Sequence, residues 1–199
     1  MKTGDLLICQ GNGALSKQII SAQKVFCKLQ KRPITEAVNI SHVAIVVELF
    51  EKNYVFESTT LNDWCGKKGV QVNPYDKWVA NYNGKVWIRE GQPVPEQDVF
   101  AEKAVSYLSF PYENGIPGGL ELLLSGIDFP CFRWLARRME THKGIYCSEV
   151  IVNLLKAQKM LWARLNEHKM PPMEFYGNGR FDMHLVNGFT FDKPKQIEA

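Results

Sequence analysis

Three residues have the types that covalent catalysis by a thiol requires: His42, Glu57 and Cys147. Glu57 follows His42 by 15 residues, and Cys147 follows Glu57 by 90. A thiol is a strong nucleophile only as the thiolate, and a helix N-terminus lowers its pKa through the helix dipole and free backbone N–H groups. An adjacent imidazole forms the ion pair and later protonates the leaving group. A carboxylate fixes the imidazole's orientation and tautomer. Each residue also has a bland reading. A lone buried cysteine is usually a small hydrophobe, a histidine beside a strand is usually structural, and a glutamate at a strand end is usually solvated.

The elements that must position these residues can be read from apolar patterning. Val43 to Val47 is a β-branched run, hence a buried strand, and His42 directly precedes it. Tyr54 to Ser58 is the next strand and carries Glu57, with Glu51-Lys52-Asn53 between the two as a hairpin turn. If the two strands pair, His42 and Glu57 lie near the same end of the sheet, and a one-residue slip would put them on opposite faces. Cys147 to Gln158 places apolar side chains at 147, 150, 151, 154 and 155, one face of a helix whose first residue is the cysteine.

The remaining pattern fills in an α+β chain, strands early and helices late. Leu6 to Cys9 is a short apolar strand, and Gly11-Asn12-Gly13 marks a turn. Apolar residues at 15, 19, 22 and 26 predict a helix that ends before the polar stretch Lys28 to Arg32. Gly69 to Val72 and Lys85 to Ile88 are two more strands, with a turn at Asn81 to Gly84. Val99 to Leu108 has helical spacing. Phe110 to Pro130 is rich in Gly, Pro and aromatics, and the tail from Pro171 is loop-like. No internal repeat or low-complexity linker is visible.

Local sequence around the three residues resembles the circularly permuted branch of the NlpC-type papain-like superfamily, especially its YiiX-like members. The lecithin:retinol acyltransferases are more distant relatives of that branch. The matching fragments are the opening Gly4-Asp5-Leu6-Leu7-Ile8 and the Ser41-His42-Val43-Ala44-Ile45-Val46 strand. Val55-Phe56-Glu57-Ser58, Gly69-Val70-Gln71-Val72 and Tyr146-Cys147-Ser148-Glu149-Val150 follow in that order. Each fragment is weak alone; five in order, over about residues 4 to 158, are fairly specific. The resemblance implies a papain-like antiparallel sheet with helices packed on it, occupying residues 1–199 as a single domain. An insert at about 110–138 and a tail after about 159 have no counterpart.

It further implies that Cys147 is the nucleophile, His42 the general base and acid, and Glu57 the orienting group. The Cys147 backbone N–H would be one oxyanion donor. Tyr146 is a candidate substrate-binding residue beside the pocket, against a plain role in the core. Ser148 and Glu149 serve the helix start, and Asp5 is expected to be structural or part of the pocket floor. The activity implied is a cysteine hydrolase, a peptidase or amidase acting on a peptide-like amide, with a cell-wall fragment one candidate. A lipid acyl hydrolase or acyltransferase using the same triad, and a non-catalytic papain-like binding protein of viral or phage type, are the alternatives. An insert that lines an apolar pocket would favour the lipid reading. Its aromatics, with those of the preceding helix, are Tyr107, Phe110, Tyr112, Phe129, Phe132 and Trp134.

Composition closes off other classes. The chain has 199 residues, 24 Lys plus Arg against 21 Asp plus Glu, and a net charge of +3, too slight an excess to argue for nucleic acid. Apolar residues make up 45% and charged residues 23%, an ordinary globular balance. The basic stretches Lys28 to Arg32 and Arg133 to Lys143 read first as solvated faces, and as surfaces for an anionic substrate or membrane second. No apolar run approaches the roughly 18 residues of a membrane helix, and no signal peptide is visible. Cysteines 9, 27, 65, 131 and 147 and histidines 42, 142, 168 and 184 match no zinc or redox spacing. The expectation is reduced thiols in a cytoplasmic setting, no metal and no cofactor. Gly11 to Ser16 lacks the third glycine and the Gly-Lys-Ser/Thr of nucleotide loops, so it reads as a turn.

Overall fold

The computed structural model describes residues 1–60, 68–108, 110–112, 145–166, 170–177 and 180–197. A six-stranded antiparallel sheet organises them, in the order β4-β3-β2-β1-β5-β8. Its strands are β1 (Leu6–Gly11), β2 (His42–Leu49), β3 (Lys52–Thr59), β4 (Gly69–Pro74), β5 (Gly84–Arg89) and β8 (Lys195–Ile197). The two-residue strands β6 (Gly91–Gln92) and β7 (Thr190–Phe191) pair separately. Helices α1 (Ala14–Leu29), α2 (Tyr75–Asn81), α3 (Gln97–Ser106) and α4 (Cys147–Ala157) complete the regular elements, with short 3₁₀ turns between them.

The central strands are apolar almost without alternation because both faces of the sheet are covered. Leu6, Ile8, Val43, Ile45, Val47 and Phe56 point into the larger core, where α4 adds Val150, Ile151, Leu154 and Leu155. Leu7, Cys9, Ala44, Val46 and Val55 point the other way, onto Trp78 of α2. Each fully buried Leu, Ile, Val or Phe contributes about 1.5–3 kcal/mol, so α4 is held by its apolar stripe rather than by helix propensity.

Four features depart from the sequence expectation. His42 is the first residue of β2 rather than the residue before it. The hairpin turn is Phe50-Glu51, both at positive φ (52° and 61°), while Lys52 and Asn53 already pair with Leu49 and Glu48. Of the polar residues that suggested a turn, Glu51 is in it, while Lys52 and Asn53 belong to the start of β3. Helix α2 was not expected: its seven residues are too few to show a helical period, and Trp78 alone is its buried anchor. The tail is not merely loop: Phe175 and Phe181 stack in the main core at 4.4 Å and β8 extends the sheet. Most of the 110–138 insert, including Phe129, Phe132 and Trp134, lies outside the described residues, as do Cys65, Cys131, His142, His168 and the basic stretch Arg133 to Lys143.

Arg89 ties that tail down. It is 2% exposed and its guanidinium donates to the Asp182 carboxylate at 2.9 and 3.0 Å. It also donates to the carbonyls of Phe175, Phe191 and Asp192. Asp5, also buried, accepts from the backbone N–H groups of Lys2 and Gly91 and so links the N-terminus to β6, the structural role expected of it.

Candidate active site

The β2–β3 register aligns Ile45 with Phe56, so Ala44 faces Glu57 and His42 lies two residues further toward the same end. Strand residues two apart share a face. His42 and Glu57 are therefore diagonal neighbours on one face, and His42 Nε2 lies 2.7 Å from Glu57 Oε2. The β3–β4 register sets Gln71 opposite Glu57 and Asn73 opposite Val55, on the same face again.

Those partners enclose the carboxylate. Glu57 is 4% exposed, and its Oε1 accepts from Asn73 Nδ2 at 2.9 Å, Trp78 Nε1 at 2.9 Å and Gln71 Nε2 at 3.3 Å. An oxygen receiving three N–H donors acts as an acceptor only. Three neutral donors on one oxygen and an imidazole on the other offset the cost of burying so polar a group.

Cys147 enters from the opposite side of the sheet's end. Ser58 Oγ donates to the Ile145 carbonyl at 2.6 Å, Ile145 N–H donates to Pro111 O at 3.0 Å, and Val70 N–H donates to Phe110 O at 2.9 Å. Gly69, at φ +136°, is required here because a Cβ would collide with the Phe110 carbonyl. These bonds fix the start of α4 against the ends of β3 and β4. Cys147 is the first helical residue, and Glu149 Oε2 accepts the Tyr146 N–H at 3.3 Å, so Glu149 serves the helix start.

The Cys147 thiol and the His42 imidazole are electrostatically linked. Burial pulls the His42 pKa down, but the charge of Cys147, its hydrogen bond to the ring, and then the hydrogen bond and charge of Glu57 outweigh this and push it up to about 10. Glu57 engages Nε2, which leaves Nδ1 as the nitrogen for Cys147. Burial, and then Glu57, raise Cys9 well above the ordinary thiol value, and burial likewise raises Cys27, which lies 4.0 Å from Met173 Sδ.

A cavity of about 480 Å³ opens on His42 and Glu57. Its walls include the loop and first turn of α1 (Gly11 to Ser16), with Thr59, Trp78, Tyr82 and Tyr112. Apart from His42 and Glu57, the described lining side chains carry no charge. Gly11 to Ser16, expected to be only a turn, thus forms part of the wall. Tyr146 is half-buried and packs edge-on against Tyr112, ring centroids 6.1 Å apart, and is not among the lining residues. Burial, and then the Cys147 charge, raise the Tyr112 phenol.

The sequence reading missed Gln71, Asn73 and Trp78 as site residues, and named Tyr112 only among the aromatics that could line an apolar pocket. One signal was available: Gln71 and Asn73 are polar residues two apart in a buried strand, the pattern of a polar patch on one face.

No protein-family model matches the sequence, and no curated protein matches it. Among solved structures, the chain is similar to the crystal structure of the metalloprotein yiiX from Escherichia coli O157:H7. The TM-score is 0.52 at 18% identity, over 98% of this chain and 97% of that one. At that identity the likeness is one of fold: a YiiX-like α+β arrangement with an antiparallel sheet. That neighbour is described as a metalloprotein. In this chain, among the described residues, no group of three or more His, Cys, Asp or Glu could hold a metal ion, and His42 is engaged by Glu57 and Cys147. The described site does not fit a metal. No described helix is long and apolar enough to cross a membrane.

Proposed function

We propose that the chain is a cysteine hydrolase, a peptidase or amidase of the permuted papain-like type, occupying one domain. Cys147 is the nucleophile, His42 the general base and acid, and Glu57 the orienting carboxylate. The observation that carries this reading is the His42 imidazole held between a buried carboxylate at 2.7 Å and the thiol at a helix N-terminus.

The chemistry follows from the geometry. The thiolate of Cys147 attacks the substrate carbonyl carbon and a C–S bond forms. Negative charge moves to the carbonyl oxygen, which the Cys147 backbone N–H stabilises, with the Tyr112 hydroxyl as the second donor. His42, protonated at neutral pH, gives its proton to the leaving amine as the C–N bond breaks. The neutral imidazole then takes a proton from water, whose oxygen attacks the thioester carbon; the C–S bond breaks, releasing the acid and returning Cys147 as thiolate beside protonated His42. No cofactor takes part in these steps. Away from His42 and Glu57, the amide and hydroxyl groups of the cavity wall suit a neutral peptide-like substrate, with Tyr146 supporting the wall through Tyr112.

The test is a limiting thiol-reactive probe applied to the native protein at about pH 6, where an ordinary thiol is almost wholly protonated. Selective labelling of Cys147, lost in His42→Ala, supports an activated nucleophile. Labelling spread over the other cysteines, or none, would reject it.

A further inference from the structure

Helix α1 runs outward from the cavity wall, and its charge is one-sided. Between Asp5 and Glu36 the sequence holds no acidic residue but five basic ones: Lys17, Lys24, Lys28, Lys31 and Arg32. That is more than the +3 net charge of the entire chain. Arg32 is committed to the buried Glu174 at 2.6 Å. The four lysines are exposed, and none forms an ion pair within the described structure. Lys17, Lys24 and Lys28 stand at i, i+7 and i+11, one stripe about 16 Å long.

Beside that stripe lie apolar side chains that the core does not use. Val25 is 46% exposed and Leu29 59%. The buried side of α1 is made instead by Ala22, Gln23, Phe26 and Cys27. Gln23 locks that side in place, donating to the carbonyls of Val38 and Ile40 and accepting from the Met173 N–H. The outer face is therefore rigidly presented, with a cationic stripe next to an apolar one.

We propose that this face of α1 docks on an anionic phospholipid membrane, the lysines against the headgroups and Val25 and Leu29 in the interfacial layer. Amphipathic helices bind interfaces through the sum of buried apolar area and attraction to anionic lipid. A nucleic acid would satisfy the lysines but give the apolar stripe nothing to pack on. Because the first turn of α1 also lines the cavity, docking brings the cavity's rim to the lipid surface. The proposal concerns a surface and does not depend on the hydrolase reading: Cys147→Ala should bind vesicles as the wild type does.

The test is co-sedimentation of the full chain with phosphatidylcholine vesicles with and without phosphatidylserine. Binding is expected only with phosphatidylserine and should fall as salt is raised, since the attraction is screened within a Debye length. Each lysine contributes about fivefold in partitioning, so Lys24→Gln should weaken binding about fivefold and the Lys17→Gln, Lys24→Gln, Lys28→Gln triple variant about 100-fold. Val25→Ser with Leu29→Ser should weaken it while leaving the salt dependence unchanged. Circular dichroism identifies any variant that does not fold, and the single exposed Lys24→Gln keeps the test open if the triple variant fails it. No binding, equal binding to both vesicles, undiminished binding by the lysine variants, or stronger capture by duplex DNA than by the anionic vesicles would each overturn the proposal.

Discussion

Glu57 Oε2 and His42 Nε2 lie 2.7 Å apart, and that single contact decides how the ring is used. With Nε2 turned to the carboxylate, Nδ1 is the nitrogen left to exchange a proton with Cys147. The two strands reach this arrangement because β2 and β3 pair with Ile45 against Phe56; a slip of one residue would send His42 and Glu57 to opposite faces.

The first prediction concerns charge. His42 sits at about 10 in the fold against an ordinary 6.5, because Cys147 and Glu57 favour the imidazolium more than burial opposes it. A folded pKa above the unfolded one means that the imidazolium stabilises the fold fully below pH 6.5, and that this stabilisation is lost as the pH rises through about 10. Imidazole NMR should therefore show His42 protonated at neutral pH. Cys147→Ser removes the foremost raising influence, so the His42 midpoint should fall markedly. An unchanged midpoint in that variant would mean that the thiol and ring do not interact.

The second separates reacting from orienting groups. In Cys147→Ala, turnover and covalent labelling at position 147 should both vanish. Glu57→Gln keeps the shape of the contact but loses its charge. Labelling at about pH 6 should slow, with an activity loss about two orders of magnitude smaller than that of Cys147→Ala. Equal losses in the two variants would give Glu57 a role in the reaction itself.

Trp78 provides the third. Its indole N–H donates to Glu57 Oε1 at 2.9 Å, and hydrogen bonds to charged groups are worth about 1.5–3 kcal/mol. Trp78→Phe keeps most of the packing in the smaller core and removes that donor. The expected result is a loss of about 2 kcal/mol in urea unfolding together with slower labelling of Cys147 at low pH. A stability loss with an unchanged pH profile of labelling would make Trp78 a packing residue only.

What the sequence revealed follows from how each feature is encoded. The strands carrying His42 and Glu57 and the helix opened by Cys147 were legible because their apolar residues recur with a period of two or 3.6, or run unbroken. The partners of Glu57 were not. Gln71 and Asn73 lie on a strand the pattern did reveal, but their role depends on the β3–β4 register. Trp78 belongs to a seven-residue helix too short for periodicity. β8 (Lys-Gln-Ile) has no strand pattern of its own and is recruited by the open edge of β5.

The tail offers the last prediction, because Arg89 and Asp182 lie 93 residues apart in sequence yet make a two-bond pair. The Arg89 side chain is 2% exposed and that of Asp182 27%, so the arginine is the member that depends on its partner. Three carbonyls also accept from the guanidinium, but none neutralises it. Removing the partner of a buried charge typically costs about 3–5 kcal/mol, whereas replacing both by apolar residues is often neutral. Asp182→Ala should therefore destabilise the protein by about 3 kcal/mol, at the lower end because the carbonyls remain. Arg89→Met in the Asp182→Ala background should recover part of that loss, since no charge is left stranded. Chemical unfolding of the three variants measures both numbers. A double variant less stable than Asp182→Ala alone would show that Arg89 holds the tail through its carbonyl contacts rather than through its charge.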